Sequence, residues 1–273
     1  MSDITHHLSL ITYMNIVVLV KQTPDTAKLS ARLDGLQLSA DGGARIVNPW
    51  DEYAIEEGLL LQSKYQGKVT ALCVGKAEAD EALKRAVAMG VNEAILVSDA
   101  VLSNGDSLAT ARALAAAIRK IGAVDLIIAG RSSIDGNNAA TAVQVAALLN
   151  FNLLTYVTKI EGIDLATKTM RAIRAIEAGR ETVSSHLPAV ISVVKEINSP
   201  RYPNFMNIKK AAKAVIPVWS LKDLGLSAAE VTPQVTWSLT LPPSRTAQVE
   251  LISGSPAEAA KILVDKLMAE KVI

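Results

Sequence analysis

The chain is poor in the residues that most chemistry in small proteins relies on. Among 273 residues it has one cysteine, three histidines and two phenylalanines. A single cysteine excludes an internal disulfide and any Cys-cluster zinc or iron–sulfur centre held by this chain alone. Cys73 lies in the apolar run VTALCVG, which marks a buried inert thiol rather than a nucleophile. Aromatics are 4% of the residues, too few for a row of stacking platforms for single-stranded nucleic acid. The formal net charge is only +1, so no excess of one sign points to nucleic acid or a membrane surface. No apolar run is long enough to span a bilayer. Neither GxGxxG nor GxxxxGK occurs. Residues 1–13 carry Asp3 and no Lys or Arg, unlike a secretory or transit peptide. They are expected to form a disordered extension in which His6 and His7 hold no metal.

What the chain does have is a strand–helix rhythm. Apolar runs at Asn15–Val20, Lys68–Val74, Glu93–Ser98 and Val124–Ala129 suit buried parallel strands. Between them lie a helix opened by Asn48-Pro49, with Asn48 as its cap, and helices at Ala77–Met89 and Asp106–Ile121 stopped by Gly90 and Gly122. An Ala-rich helical segment follows Asn138. Asp34-Gly35 and Asp41-Gly42 predict a small β excursion between Leu29 and Val47. After Asn150, strands at Leu153–Ile160, Thr169–Ile176 and Thr182–His186, with turns at Glu161-Gly162 and Gly179, predict an antiparallel ribbon, followed by a buried strand over Pro188–Lys195. The expected fold is therefore α/β: a doubly wound, mainly parallel, Rossmann-like sheet with an antiparallel ribbon and an extended C-terminal arm. The expected organisation is an extension over 1–13, a nucleotide-binding domain over 14–197, and a C-terminal tail over 198–273, which has little core of its own and either wraps a partner or packs back on its own domain. A capping box at Ser255–Glu258 opens the arm's last helix.

The organising stretch is VDLIIAGRSSIDGNNAATAVQVAALL, Val124–Leu149. A buried strand, a turn of small and polar residues and then a helix bring backbone N–H groups and a positive helix end up to an anion. In a doubly wound sheet, Lys21, Gly75, Ser98 and Gly130 all fall at the carboxyl ends of strands, where ligands bind. An ordinary βα loop is the plainer reading of Val124–Leu149 taken alone.

Several motifs in order make the chain resemble the β subunits of electron-transfer flavoproteins. They are IVVLVKQTPDT (Ile16–Thr26), NPWDEYAIEEGLLL (Asn48–Leu61), Ala88–Gly90, GRSSIDGNNAAT (Gly130–Thr141) and LPAVISV with NSPRYPNFMNIKKA (Leu187–Ala211). The resemblance covers Met14 to Ile273. It implies a heterodimer with a homologous α subunit, an FAD held mainly by that subunit, and AMP or a second FAD in this chain. It also implies electrons accepted from flavin dehydrogenases, such as acyl-CoA dehydrogenases, and passed to a quinone oxidoreductase, in a cytoplasmic protein. Carried over by position, Leu19 and Lys21 would lie near the adenine. Asn48, Pro49, Trp50 and Asp51 would contact the nucleotide, with Val74, Gly75 and Thr110 beside it. Gly130, Ser133, Ile134, Asp135, Gly136, Asn137, Asn138 and Thr141 would cradle the phosphates. Arg201, Tyr202 and Phe205 would form the loop that docks on a dehydrogenase, with Phe205 at its tip. No catalytic acid, base or metal is implied. Electron-bifurcating members favour DGDTAQVGP where this chain has DGNNAATAV, while KQTPDT and Asp106–Thr110 (DSLAT) are closer to the bifurcating pattern. AMP and a second FAD, and with the latter NADH oxidation, both remain open. An ATP-using adenylating enzyme fits less well, because the first strand is followed by KQTPDT without a glycine. A nucleotide-sensing module would leave the C-terminal arm without a role.

Overall fold

The computed structural model describes residues 13–28, 30–34, 37–41, 44–235 and 249–273. The expected extension up to residue 12, the turn glycines 35, 42 and 43, and residues 29, 36 and 236–248 lie outside this set. The first apolar run is β1 (Met14–Leu19). Two short strands follow, β2 (Gln22–Pro24) and β5 (Arg45–Val47), which pair antiparallel. Between them the backbone of β3 (Ser30–Asp34) and β4 (Gln37–Asp41) forms the expected excursion. Then come α1 (Pro49–Tyr65), β6 (Gly67–Val74), α2 (Asp80–Met89), β7 (Glu93–Val97), α3 (Ser107–Ile121), β8 (Leu126–Gly130) and α4 (Thr141–Leu149). Gly90 closes α2 with φ +127°, the left-handed position its sequence place predicts.

Strands β9 (Asn152–Asp164), β10 (Thr169–Ile176) and β11 (Gly179–His186) make the antiparallel ribbon, and β12 (Ala189–Val193) returns to the centre. Together with β13 (Val218–Trp219) these strands form one nine-stranded sheet in the order β11-β10-β9-β12-β8-β1-β6-β7-β13. The central strands are parallel. Each is buried on both faces, which is why it reads as a continuous apolar run. Along β1, Ile16 and Val18 pack with Ile55, Leu59 and Leu83 on one face. Val17 and Leu19 pack with Leu114, Ile118 and Val145 on the other. After β7 the chain crosses back to β8 on the far side of β1, so the winding reverses between β1 and β8. Such a reversal opens a crevice at the carboxyl ends of the strands.

Two expectations change and an open one narrows. The turn predicted at Glu161-Gly162 does not form; β9 runs through it to Asp164. Gly162 pairs with Arg171, and Arg171 donates to Glu161 at 2.7 Å, so both residues are held in the ladder. The reversal comes later, where the Asp164 carboxylate accepts the N–H groups of Ala166 and Thr167. Second, Phe205 is not at a loop tip. It opens helix α5 (Phe205–Ala212), which Asn204 caps by accepting the Asn207 N–H at 2.8 Å. Third, the tail from residue 198, for which the sequence allows either wrapping a partner or packing back, packs on its own domain as far as residue 235. Val218–Trp219 pair with β7, and Leu221 and Val231 bury against Ala109. The described remainder, 249–273, forms a separate unit. It holds α6 (Pro256–Ala269) behind the predicted capping box, in which Ser255 and Glu258 bond reciprocally. No described helix is long and apolar enough to cross a membrane.

Candidate functional site

A cleft of about 320 Å³ opens where β1, β6 and β8 end. Its floor is apolar: Leu19, Leu72, Val74, Leu114, Ala129 and Ala142. Its rim is polar and comes from four loops, those after β1, β8 and before α1 and α3. An apolar floor suits a flat heteroaromatic ring, and a polar rim suits what that ring carries.

The loop after β8 is fixed from below by the start of α1. Gly130 is obligatory there, since a Cβ would come within 2.5 Å of an Asp51 carboxylate oxygen and 2.7 Å of the Trp50 backbone. Asn48 does not cap α1 with its side chain, contrary to the expectation from Asn48-Pro49. Its Nδ2 donates to the Ser132 carbonyl (2.8 Å) and to Asp51 Oδ1 (2.9 Å), and its Oδ1 accepts the Ile134 N–H (3.1 Å). The side chain is consumed in holding the loop after β8, so it is unavailable to the helix. Asp51 in turn accepts the Lys21 N–H at 2.8 Å. Burial pushes its carboxyl up to about 7, against the hydrogen bonds from Lys21, Asn48 and Gly130. Lys21 Nζ reaches across to Asp135 at 2.7 Å and Ser133 at 3.3 Å.

Two features of the rim are open towards a ligand. Asn137 (φ +46°) and Ala139 (φ +55°) take the left-handed conformation and turn the chain into α4, whose N-cap residue Ala140 offers no side-chain acceptor. The first N–H groups of α4 thus remain available beside Thr141 and Ala142, with the positive end of the helix behind them. Arg131 lies with its guanidinium 4.3 Å from the centre of the Trp50 ring, and its buried Nε has no hydrogen-bond partner. A stacked guanidinium with an unused donor, next to an uncapped helix start, is a donor set for a phosphate. The start of α3 is different. Asp106 caps it, accepting the Ala109 N–H at 2.8 Å, and also takes the amides of Gln234 (2.7 Å) and Val235 (3.2 Å).

Of the residues expected at the site, Leu19, Lys21, Asn48, Asp51, Val74, Thr110, Gly130, Ser133, Gly136, Asn138 and Thr141 line this cleft together. Gly75 and Asp135 line an adjoining cavity of about 300 Å³ that shares Lys21, Val74 and Thr110 with it. Pro49, Trp50, Ile134 and Asn137 line neither. Trp50 underlies Arg131, and the Asn137 side chain accepts from Ser132 at 2.8 Å. Sequence reasoning missed Arg131, Ser132 and the Gly105–Ser107 turn as lining residues. The signal for Arg131 was its place one residue after the strand-ending glycine. Of the residues expected to dock, Tyr202 is 92% and Phe205 68% exposed, and Arg201 is bound by Glu56. Among the described residues, no cluster of His, Cys, Asp or Glu could hold a metal.

A doubly wound sheet with a cleft at its switch point, an antiparallel ribbon and a separate C-terminal helix defines the class. Residues 35–224 match the model of the electron transfer flavoprotein domain. The chain is 33% identical to protein FixA of Azotobacter vinelandii over 268 residues, covering 94% of this chain and 95% of that protein. It is 37% identical to the electron transfer flavoprotein β subunit of Bacillus subtilis (265 residues; 95% and 100%). It is 34% identical to the caffeyl-CoA reductase-Etf complex subunit CarD of Acetobacterium woodii (266 residues; 95% and 100%). The chain belongs to the electron transfer flavoprotein family, as a β subunit. Its role is electron transfer within an FAD-containing heterodimer formed with an α subunit and served by a dehydrogenase.

Proposed function

We propose that this β subunit holds an adenine nucleotide in the cleft at the ends of β1, β6 and β8, and that the heterodimer it completes carries electrons from an acyl-CoA or related flavin dehydrogenase to a quinone oxidoreductase or similar acceptor. The observation that carries the reading is the conjunction of an apolar floor with an uncapped α4 start and the stacked Arg131. Leu19, Val74 and Leu114 would enclose the ring. The α4 amides, Ser133, Asn138, Thr141 and Arg131 would hold phosphate oxygens. The cleft's carboxyl groups and its lysine are engaged with the protein: Lys21 with Asp135, Asp51 with Lys21 and Asn48, Asp106 with backbone amides. That arrangement suits binding and tuning rather than acid–base chemistry. A flavin, when bound, supplies the electron-accepting chemistry.

The adjoining cavity favours a second reading of the ligand. It continues the cleft past Lys21 and Thr110 and is lined by Arg45 and Lys76. AMP would occupy the first compartment; a second FAD would extend into the next, and with it would come an electron-bifurcating carrier that oxidises NADH. Partner docking is proposed for Tyr202 and Phe205, in a cytoplasmic complex. The arm at 249–273 would wrap the α subunit, because Ala260, Leu263, Val264, Leu267 and Met268 recur at helical spacing along α6.

The test is an absorbance spectrum and a nucleotide count on the co-purified two-chain complex. One flavin with AMP identifies the simple carrier, and two flavins identify the bifurcating form. A colourless complex without adenylate overturns the proposal.

A further inference from the structure

The loop bearing Tyr202 is fastened to the middle of helix α1 by groups that take no part in the nucleotide cleft. Glu56, only 4% exposed, accepts from Arg201 Nε at 2.7 Å, from Arg201 Nη2 at 2.8 Å and from the Arg201 backbone N–H at 3.1 Å. The next residue, Glu57, also buried, accepts from Asn198 Nδ2 at 3.0 Å, and the same amide nitrogen donates to the Tyr53 carbonyl at 3.0 Å. At its other end the loop runs into Asn204, the cap of α5. The segment 198–204 is thus clamped at both ends, with Tyr202 exposed between the clamps and Phe205 and Met206 exposed just beyond.

A buried carboxylate is unfavourable unless its charge is matched, and Glu56 has its match in Arg201 alone among the described ion pairs. The bidentate fork fixes the guanidinium plane, and the third bond fixes the backbone it hangs from. Ordering a loop in advance removes that entropy loss from the binding step. We infer that Glu56 is a positioning residue for dehydrogenase docking: through Arg201 it sets the conformation in which Tyr202, Phe205 and Met206 meet the partner. Glu56 itself is too buried to touch that partner. The inference rests on the docking role proposed above for Tyr202 and Phe205.

The experiment uses the full heterodimer with Glu56→Gln, and Phe205→Ala as a separate variant. Hydrogen exchange of the 198–204 amides is measured, together with reduction kinetics against rising concentrations of an acyl-CoA dehydrogenase. With Glu56→Gln, loop exchange rises at least tenfold, the KM for the dehydrogenase rises about tenfold, and kcat and flavin content stay within twofold. A general loss of structure would move flavin content and kcat as well. Adding Arg201→Gln to Glu56→Gln makes neither readout worse, because the two act as one unit. Should Glu56→Gln not fold, Arg201→Lys, which keeps the charge and loses the fork, shows the same pattern at smaller size. Unchanged loop exchange overturns the inference, as does raised exchange with unchanged KM while Phe205→Ala raises KM. If Phe205→Ala also leaves KM unchanged, the docking role itself is overturned.

Discussion

Asp51 is a buried carboxyl whose protonation is tied to folding. Its value of about 7 in the folded chain exceeds the ordinary 3.8, because desolvation outweighs the hydrogen bonds it accepts. The folded state therefore binds the proton more tightly than the unfolded chain, and folding takes up a proton between about pH 4 and pH 7. Below that window Asp51 has no effect of this kind. Its contribution to stability declines as pH rises through the window and levels off above pH 7, by roughly 4 kcal/mol in all. Asp51→Asn, which resembles the protonated acid, should gain stability relative to the wild type as pH rises from 4 to 7. Urea unfolding at several pH values measures this, and parallel pH profiles would refute it. Arg131 poses a different residue-scale question. Loss of its charge-assisted bonds in Arg131→Ala should weaken nucleotide binding by about 1.5–3 kcal/mol, or roughly 10- to 150-fold. Equilibrium dialysis of AMP against the heterodimer is the check, and unchanged affinity would remove Arg131 from the site. The role of Asp51 was not legible in the sequence, and that of Arg131 only through its place after Gly130. Asn48 and Asp51 were recognisable as a helix start, but their burial under Gly130, and their service to a loop more than 80 residues away, depend on tertiary packing that local pattern does not encode.

At the scale of elements, the start of α3 and the chain that lies over it form one structure. Asp106 caps the helix and holds Gln234 and Val235. Arg112 donates to the Glu230 carbonyl at 2.6 Å, and Lys120 donates to that of Asp223 at 2.7 Å. These contacts bring residues 220–235 along α3 as far as the cleft's rim. The Ala109, Gln234, Val235 and Leu108 amides keep the Asp106 carboxyl below its usual range, so the clamp tightens above that range and loosens in acid. Asp106→Ala should cost about 1 kcal/mol through the lost cap and release 228–235, seen as faster hydrogen exchange there with β6 unaffected. Equal exchange in both proteins would show that Leu221 and Val231 suffice. The central strands and helices were readable because their apolar periodicity is strong. The two-residue β13 and the one-turn pieces around it were not, since they are set by where the sheet edge β7 happens to offer partners. The misplaced turn in the ribbon has the same origin: Glu161-Gly162 has turn composition, but its cross-strand partner Arg171 keeps it extended.

For the molecule as a whole, the apolar stripe of α6 is the feature that the described residues of its own unit leave uncovered. Leu263 is 48% and Met268 61% exposed, and no residue of that helix is buried. An amphipathic helix left open on its apolar side gains stability only against a second surface. The surface proposed for it is the α subunit, and the size of the effect follows from area. Fully burying a leucine side chain is worth about 1.5–3 kcal/mol, so Leu263→Asp, which also brings an unpaired charge to the interface, should weaken the heterodimer at least tenfold. Sedimentation across a dilution series measures this directly. Phe205→Ala serves as the comparison, because the docking face should leave subunit association untouched while altering electron delivery. A Leu263→Asp heterodimer that holds together at the wild-type concentration would mean that the arm seats itself through other residues, or that the stripe faces a different partner.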